Sequence, residues 1–117
     1  MARDIVTSTK VTTNAAVAQP AGVAINPTNG ISVVHTRSRK TIVVVTNTSA
    51  STRVVTVRRN PAVSDPVPSD LASPAIAATT GVEYLGPFDG HYIQADGSVW
   101  LDFVAGHTGV VYAVEHP

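Results

Sequence analysis

A chain of 117 residues that is 44% apolar, 14% charged and free of cysteine has room for one modest core, and it excludes disulfides and thiolate-held metals. Its formal net charge of zero hides a split: all eight Lys and Arg lie between Arg3 and Arg59, and seven of the eight acids lie from Asp65 onward, so residues 1–60 carry 8 − 1 = +7 and residues 61–117 carry −7. Either the two halves interleave in one fold and neutralise each other, or the surface is dipolar and orders neighbouring copies or a charged partner.

The opening MARDIVTSTK has no apolar core segment of a secretory signal, and no window approaches the ~20 apolar residues of a spanning helix. The expectation is a soluble chain with no membrane partner, made in a cytoplasm and folded as one domain over residues 1–117. Valine and threonine dominate, and their branched Cβ atoms favour strands.

Residues 1–30 read as an extended arm with local strand pairing, with short strands at 5–9 and 23–25. INPTNG (25–30) is a turn, because Pro27 fixes φ and Asn29-Gly30 tolerates positive φ. ISVVHTR (31–37) is the first good strand, and it makes His35 a strand histidine. KTIVVVTN (40–47) and RVVTVRR (53–59) flank the polar TSAS and read as a hairpin. Thr46 opposite Arg53 then sets Ile42 against Val57 and Val44 against Val55. Both faces are largely apolar, so cover on both sides is expected.

Residues 60–81 hold four of the eight prolines and read as a long surface connection, since proline lacks the amide a ladder needs. Ala72 to Ala78 is the one helix candidate, limited by Pro74 to about a turn. VEYLGPF (82–88) is broken at Gly86-Pro87, and GHYIQ (90–94) resumes a strand. ADGS (95–98) is a tight turn. All six aromatics lie from Tyr84 to Tyr112, which makes this section the expected source of the bulky core. VWLDFV and GVVYAVE read as a second hairpin, with Phe103 opposite Val110 and Leu101 opposite Tyr112. Val99, Leu101 and Phe103 share one face with Val110, Tyr112 and Val114, the core face. Trp100 and Asp102 fall on the mixed outer face, where Trp100 either covers a sheet edge or anchors an interface.

No serine sits in a Gly-x-Ser-x-Gly elbow, and there is no phosphate loop, His-Glu-x-x-His or EF-hand spacing. No catalytic residue, metal site or cofactor is therefore expected. Asp89 and His91 with Asp96 make a metal trio of the kind that turns assemble by chance. Asn47-Thr48-Ser49 matches a glycosylation sequon but reads as the hairpin turn. The basic cluster carries more weight. The first hairpin sets Thr41 against Arg58 and Lys40 against Arg59, with Arg37 and Arg39 close by, and like charges so gathered repel unless something negative meets them. That something is this chain's own acids, a neighbouring subunit or nucleic acid. Nucleic acid is the weakest candidate, because the basic half lacks aromatic stacking platforms. Trp100, Asp102, Arg37, Arg39, Lys40, Arg58 and Arg59 are the candidate partner-interface residues.

PAGVAIN (20–26), VVVTNTSASTRVVTVRRN (43–60) and LGPFDGHYIQADGSVWLDFVAGHTGVVYAVEHP (85–117), with the proline-rich spacer between the last two, resemble small β-rich proteins encoded among tailed-phage head genes, the capsid decoration or minor capsid proteins. The resemblance implies a non-enzymatic virion protein made in the host bacterial cytoplasm. It would sit on the capsid exterior, bind the major capsid protein and bridge its subunits as a homo-oligomer, with a trimer favoured. It brings no catalytic residues. A head-closure or tail-tube component, and a glycan-binding module using Trp100, Tyr92 and Tyr112, are the alternatives. The expected fold is all-β: an antiparallel β-sandwich or jelly-roll-like barrel of roughly seven to nine strands, with an extended N-terminal arm and a long Pro-rich connection.

Overall fold

The computed structural model describes residues 3–34, 40–61, 70–88 and 91–116. Among these residues ten strands follow in chain order: β1 (Asp4–Thr7), β2 (Thr9–Lys10), β3 (Val23–Ala24), β4 (Ile31–Val34), β5 (Thr41–Asn47), β6 (Val55–Val57), β7 (Leu71–Ala72), β8 (Gly81–Leu85), β9 (Val99–Phe103) and β10 (Val110–Glu115). The fold is all-β, and no helix occurs among the described residues. The helix candidate at Ala72 to Ala78 resolves into the end of β7 and a bridge from Ile76 to Arg53. Of the strand expected at 90–94, Gly90 lies outside the described residues and 91–94 are not strand: 91–93 turn and bend.

The strands make two mixed sheets. The first runs β1-β4-β9-β6-β7, and the second runs β2-β10-β5-β8 with β3 also beside β10. β1 is parallel to β4 and β2 is parallel to β10, and every other pair is antiparallel. After Ser8 the chain steps from the first sheet to the second, so the N-terminal segment contributes to both. Val6 of β1 reaches the core at 2% exposure, whereas residues 12–19 are exposed.

Neither expected hairpin forms. β5 bonds to β10 and β8, while β6 bonds to β9 and β7. The chain therefore arches from one sheet to the other between β5 and β6, and it does so again between β9 and β10. The arches interlock, with β6 beside β9 in one sheet and β5 beside β10 in the other. A short polar turn can close a hairpin or an arch; the side chain that folds into it decides. At the first arch that side chain is Asn47, fully buried. Its Nδ2 donates to the carbonyls of Ser51 (2.9 Å), Ile76 (3.1 Å) and Ala77 (3.2 Å), and its Oδ1 accepts from the Ser49 N–H and Oγ. Burial of an amide is tolerable only with such complete pairing. It also removes Asn47 from the surface a glycosylation acceptor needs.

At the second arch His107 is the plug, buried at 1% exposure with Nε2 3.0 Å from the Thr46 carbonyl. The arch inverts the expected inner face of β10. Val99, Leu101 and Phe103 of β9 do face the core, but their partners across it are Val111 and Ala113, and Val110, Tyr112 and Val114 turn outward. The core draws on both sheets and is mainly valine: Val6, Val33, Val43, Val45, Val55, Val57, Val99 and Val111, with Ile31, Ile76, Leu85 and Leu101. Each such side chain, once buried, is worth about 1.5–3 kcal/mol. Of the six aromatics only Phe88 and Phe103 are buried in it, but with Leu85 and Leu101 from the same section they supply much of its bulk.

Candidate interaction face

Alternation along the strands puts Ile5, Ser32 and Trp100 in one cross-strand row on the outer side of the first sheet, since Ile5 pairs with Ser32 and Ser32 with Trp100. Arg58 extends the row, its N–H donating to the Trp100 carbonyl at 2.9 Å. Asp102 lies two residues beyond Trp100, opposite Thr56 of β6. This face gathers two of the expected interface residues from β9 and one from the end of β6.

Its electrostatics form a ladder. Arg3, just before β1, reaches over β4 and sets its guanidinium 5.0 Å from the Trp100 ring centroid. Its Nη1 lies 2.7 Å from Asp102 Oδ1 and donates to the Leu101 carbonyl at 2.9 Å. The other Asp102 oxygen takes Arg58 Nη1 at 3.3 Å, and Arg58 Nε lies 3.6 Å from Asp70 Oδ2. Asp70 Oδ1 also accepts the Arg59 N–H at 2.9 Å. Both cations belong to the basic half of the sequence and both anions to the acidic half, so here the halves interlock and neutralise each other. Arg58 is half-exposed at 50% and Asp102 is 38% exposed, so each pair is worth only about 0.2–1 kcal/mol, with a similar sum for the cation–π contact.

Among the described residues, the expected pairings of Thr41 with Arg58 and Lys40 with Arg59 are not made, because the hairpin is not built. Lys40 precedes β5 in the second sheet and Arg59 follows β6 in the first. Lys40 instead shares with Lys10 a cavity of about 310 Å³, lined also by Val11, Thr12, Thr13, Glu115 and His116. Arg37 and Arg39 lie outside the described residues, as do His35 and Asp89. Among the described residues no group of three His, Asp or Glu could hold a metal. Asp96 is committed to its own turn: the Ser98 hydroxyl and N–H bond its carboxylate and hold its pKa below the usual aspartate value.

Two features escaped the sequence. Arg3 gave no sign of its role, because a lone arginine near a terminus has no pattern. The outward turn of Tyr112 was hidden by β10 being apolar at nearly every position. Tyr112 and Tyr84 line a second cavity of about 280 Å³ on the outer side of the second sheet, with Val44, Val114, Val11, Val17, Ala18, Gln19 and Pro20. Trp100 is thus on one sheet's outer face and Tyr112 on the other's, while Tyr92 packs against Phe88 at 6.2 Å. Those three aromatics do not form one sugar platform. No family model matches the chain, and neither does any curated protein or solved structure.

Proposed function

We propose that this chain is a non-enzymatic structural protein of a phage virion that decorates the capsid exterior and bridges neighbouring subunits of the major capsid protein as a homo-oligomer. We read the two sheets, which share one core, as a β-sandwich. The observation that carries the reading is the outer face of the first sheet: a broad strand surface where Trp100, Arg3, Asp102 and Arg58 stand together half-exposed. Tryptophan and arginine side by side are the composition of protein-binding hot spots. The irregular segment 11–22 adds exposed chain that can extend a contact beyond the sheets. The resemblance of the sequence to capsid decoration proteins supplies the partner.

The test is binding to expanded capsids that lack the protein, read by co-sedimentation and by capsid melting. The wild-type chain is expected to bind and to raise the melting temperature. Trp100→Ala is expected to weaken binding by about 2 kcal/mol, the size of a hot-spot truncation. Capsids that melt alike with and without the chain would remove this reading.

A further inference from the structure

Among the described residues the only parallel pairs are made by two strands that adjoin in the chain. β1 lies on the edge of β4 and β2 on the edge of β10. A parallel strand is not placed by a hairpin turn, so its own contacts must seat it. Here they are specific. Val6 enters the core at 2% exposure. Arg3, on the opposite face, reaches Asp102 at 2.7 Å, the Leu101 carbonyl at 2.9 Å and the Trp100 ring at 5.0 Å. Asn29 Nδ2 donates to Asp4 Oδ1 at 3.2 Å, and Ser8 Oγ donates to Glu115 Oε2 at 3.3 Å. At the two ends the Asp4 N–H donates to the Gly30 carbonyl (3.1 Å) and the Val11 N–H to the Glu115 carbonyl (2.8 Å).

The covalent link from this segment to the rest of the chain is of another kind. Residues 11–22 join β2 to β3 outside any strand. Residues 12–19 are all exposed, and among the described residues no main-chain hydrogen bond ties them to a strand. Val17 to Pro20 stand over the second sheet across the cavity of about 280 Å³ and do not close on it. Small and polar residues fill the stretch, TTNAAVAQ, which is the composition of loops that proteases nick.

We propose that the edges of β4 and β10 form a strand-acceptor site for an extended peptide of the pattern Arg-x-x-Val, and that residues 3–10 of this chain are its ligand, held by the site and only tethered by the loop. Main-chain pairing supplies affinity in such sites, and side chains on alternate faces supply the choice of sequence. The arginine is read by Asp102 and Trp100, and the branched side chain three positions on is read by the core. Ile5, between them, is 62% exposed and is not read. The inference does not rest on the capsid reading and is tested on the purified chain alone.

An elastase-type protease, which cleaves after small residues, is expected to cut the native full chain first within residues 12–19. The two pieces are expected to stay together at micromolar concentration, and native mass spectrometry then reads the mass of the whole chain plus a water. The nicked complex is next unfolded in urea and diluted with an equal amount of isotope-labelled peptide having the ends of the released piece. Labelled and resident pieces are expected to be taken up in equal share. A Val6→Ala peptide is taken up about tenfold less, or lower still. An Arg3→Gln peptide is taken up about two- to fivefold less, and its deficit narrows as salt rises. An Ile5→Thr peptide competes as well as wild type. A first cut outside residues 12–19, pieces that part on cleavage or fail to reassemble, or either Val6→Ala or Arg3→Gln competing as wild type would each overturn the proposal.

Discussion

His107 has no acceptor waiting for a second proton. Only a carbonyl, that of Thr46, faces its Nε2, so Nε2 carries the hydrogen and Nδ1 is bare, buried and without a partner. Phe103 meets the imidazole edge-on at 5.2 Å. Burial lowers the pKa first, the bond to Thr46 opposes it, and the nearby Arg53 guanidinium lowers it further, for a net value below the ordinary 6.5. The unfolded chain therefore takes up a proton at higher pH than the folded one. The contribution of His107 to stability is complete above about pH 6.5 and is lost as the pH falls through that value toward the lower folded pKa. Urea unfolding is expected to show the midpoint falling between pH 7.5 and 5. In His107→Gln, whose amide can still donate to Thr46, this part of the slope flattens. An unchanged slope would show that another group titrates. His107 falls in the loop between the runs VWLDFV and GVVYAVE, where the sequence gives no reason to bury it; a loop histidine becomes a plug only once the loop is known to arch between sheets.

Strand existence was legible because runs such as Ile42 to Val45 and Val99 to Phe103 have no other use, but strand partners were not. Alternation names the inner face of β9, where polar Asp102 marks the outside. It cannot do so for β10, where Val110, Val111, Tyr112, Ala113 and Val114 leave either face acceptable. Both hairpin readings followed from joining neighbours through short polar turns, and both turns are arches held by a buried side chain. The geometry of the second arch depends on Gly109, whose φ is 138° and whose missing Cβ would lie 2.5 Å from the Thr46 carbonyl oxygen. Gly97 also has positive φ, 85°, but nothing lies within 4 Å of its Cβ position. Gly97→Ala is expected to cost about 1–2 kcal/mol for the left-handed backbone alone. Gly109→Ala is expected to cost more than that, because β10 and β5 must separate as well. Chemical denaturation of the two variants orders them, and equal losses would mean that the arch has slack.

The charge split in the sequence becomes, in the whole molecule, a fastening. Arg3 lies before the first strand and Asp102 near the end of the ninth, yet they meet at 2.7 Å, and Arg58 and Asp70 continue the line across the first sheet. An acid from the second half is thereby shared between two cations of the first, which the sequence permitted as one of two accounts and could not choose. Because Asp102 serves both arginines, its removal differs from the loss of a single surface pair. Asp102→Asn keeps the size of the side chain and leaves two guanidinium groups close together without their anion. We expect a loss of about 1 kcal/mol at low salt, at the upper end for exposed pairs, shrinking as ionic strength rises from about 0.1 M toward about 1 M and the Debye length falls from about 10 Å to about 3 Å. A double-mutant cycle with Arg3→Gln separates direct attraction from packing of Arg3 on Trp100. Coupling that persists in high salt would place the stabilisation in the stacked ring and in the Leu101 carbonyl bond, and would leave the charges with the smaller part.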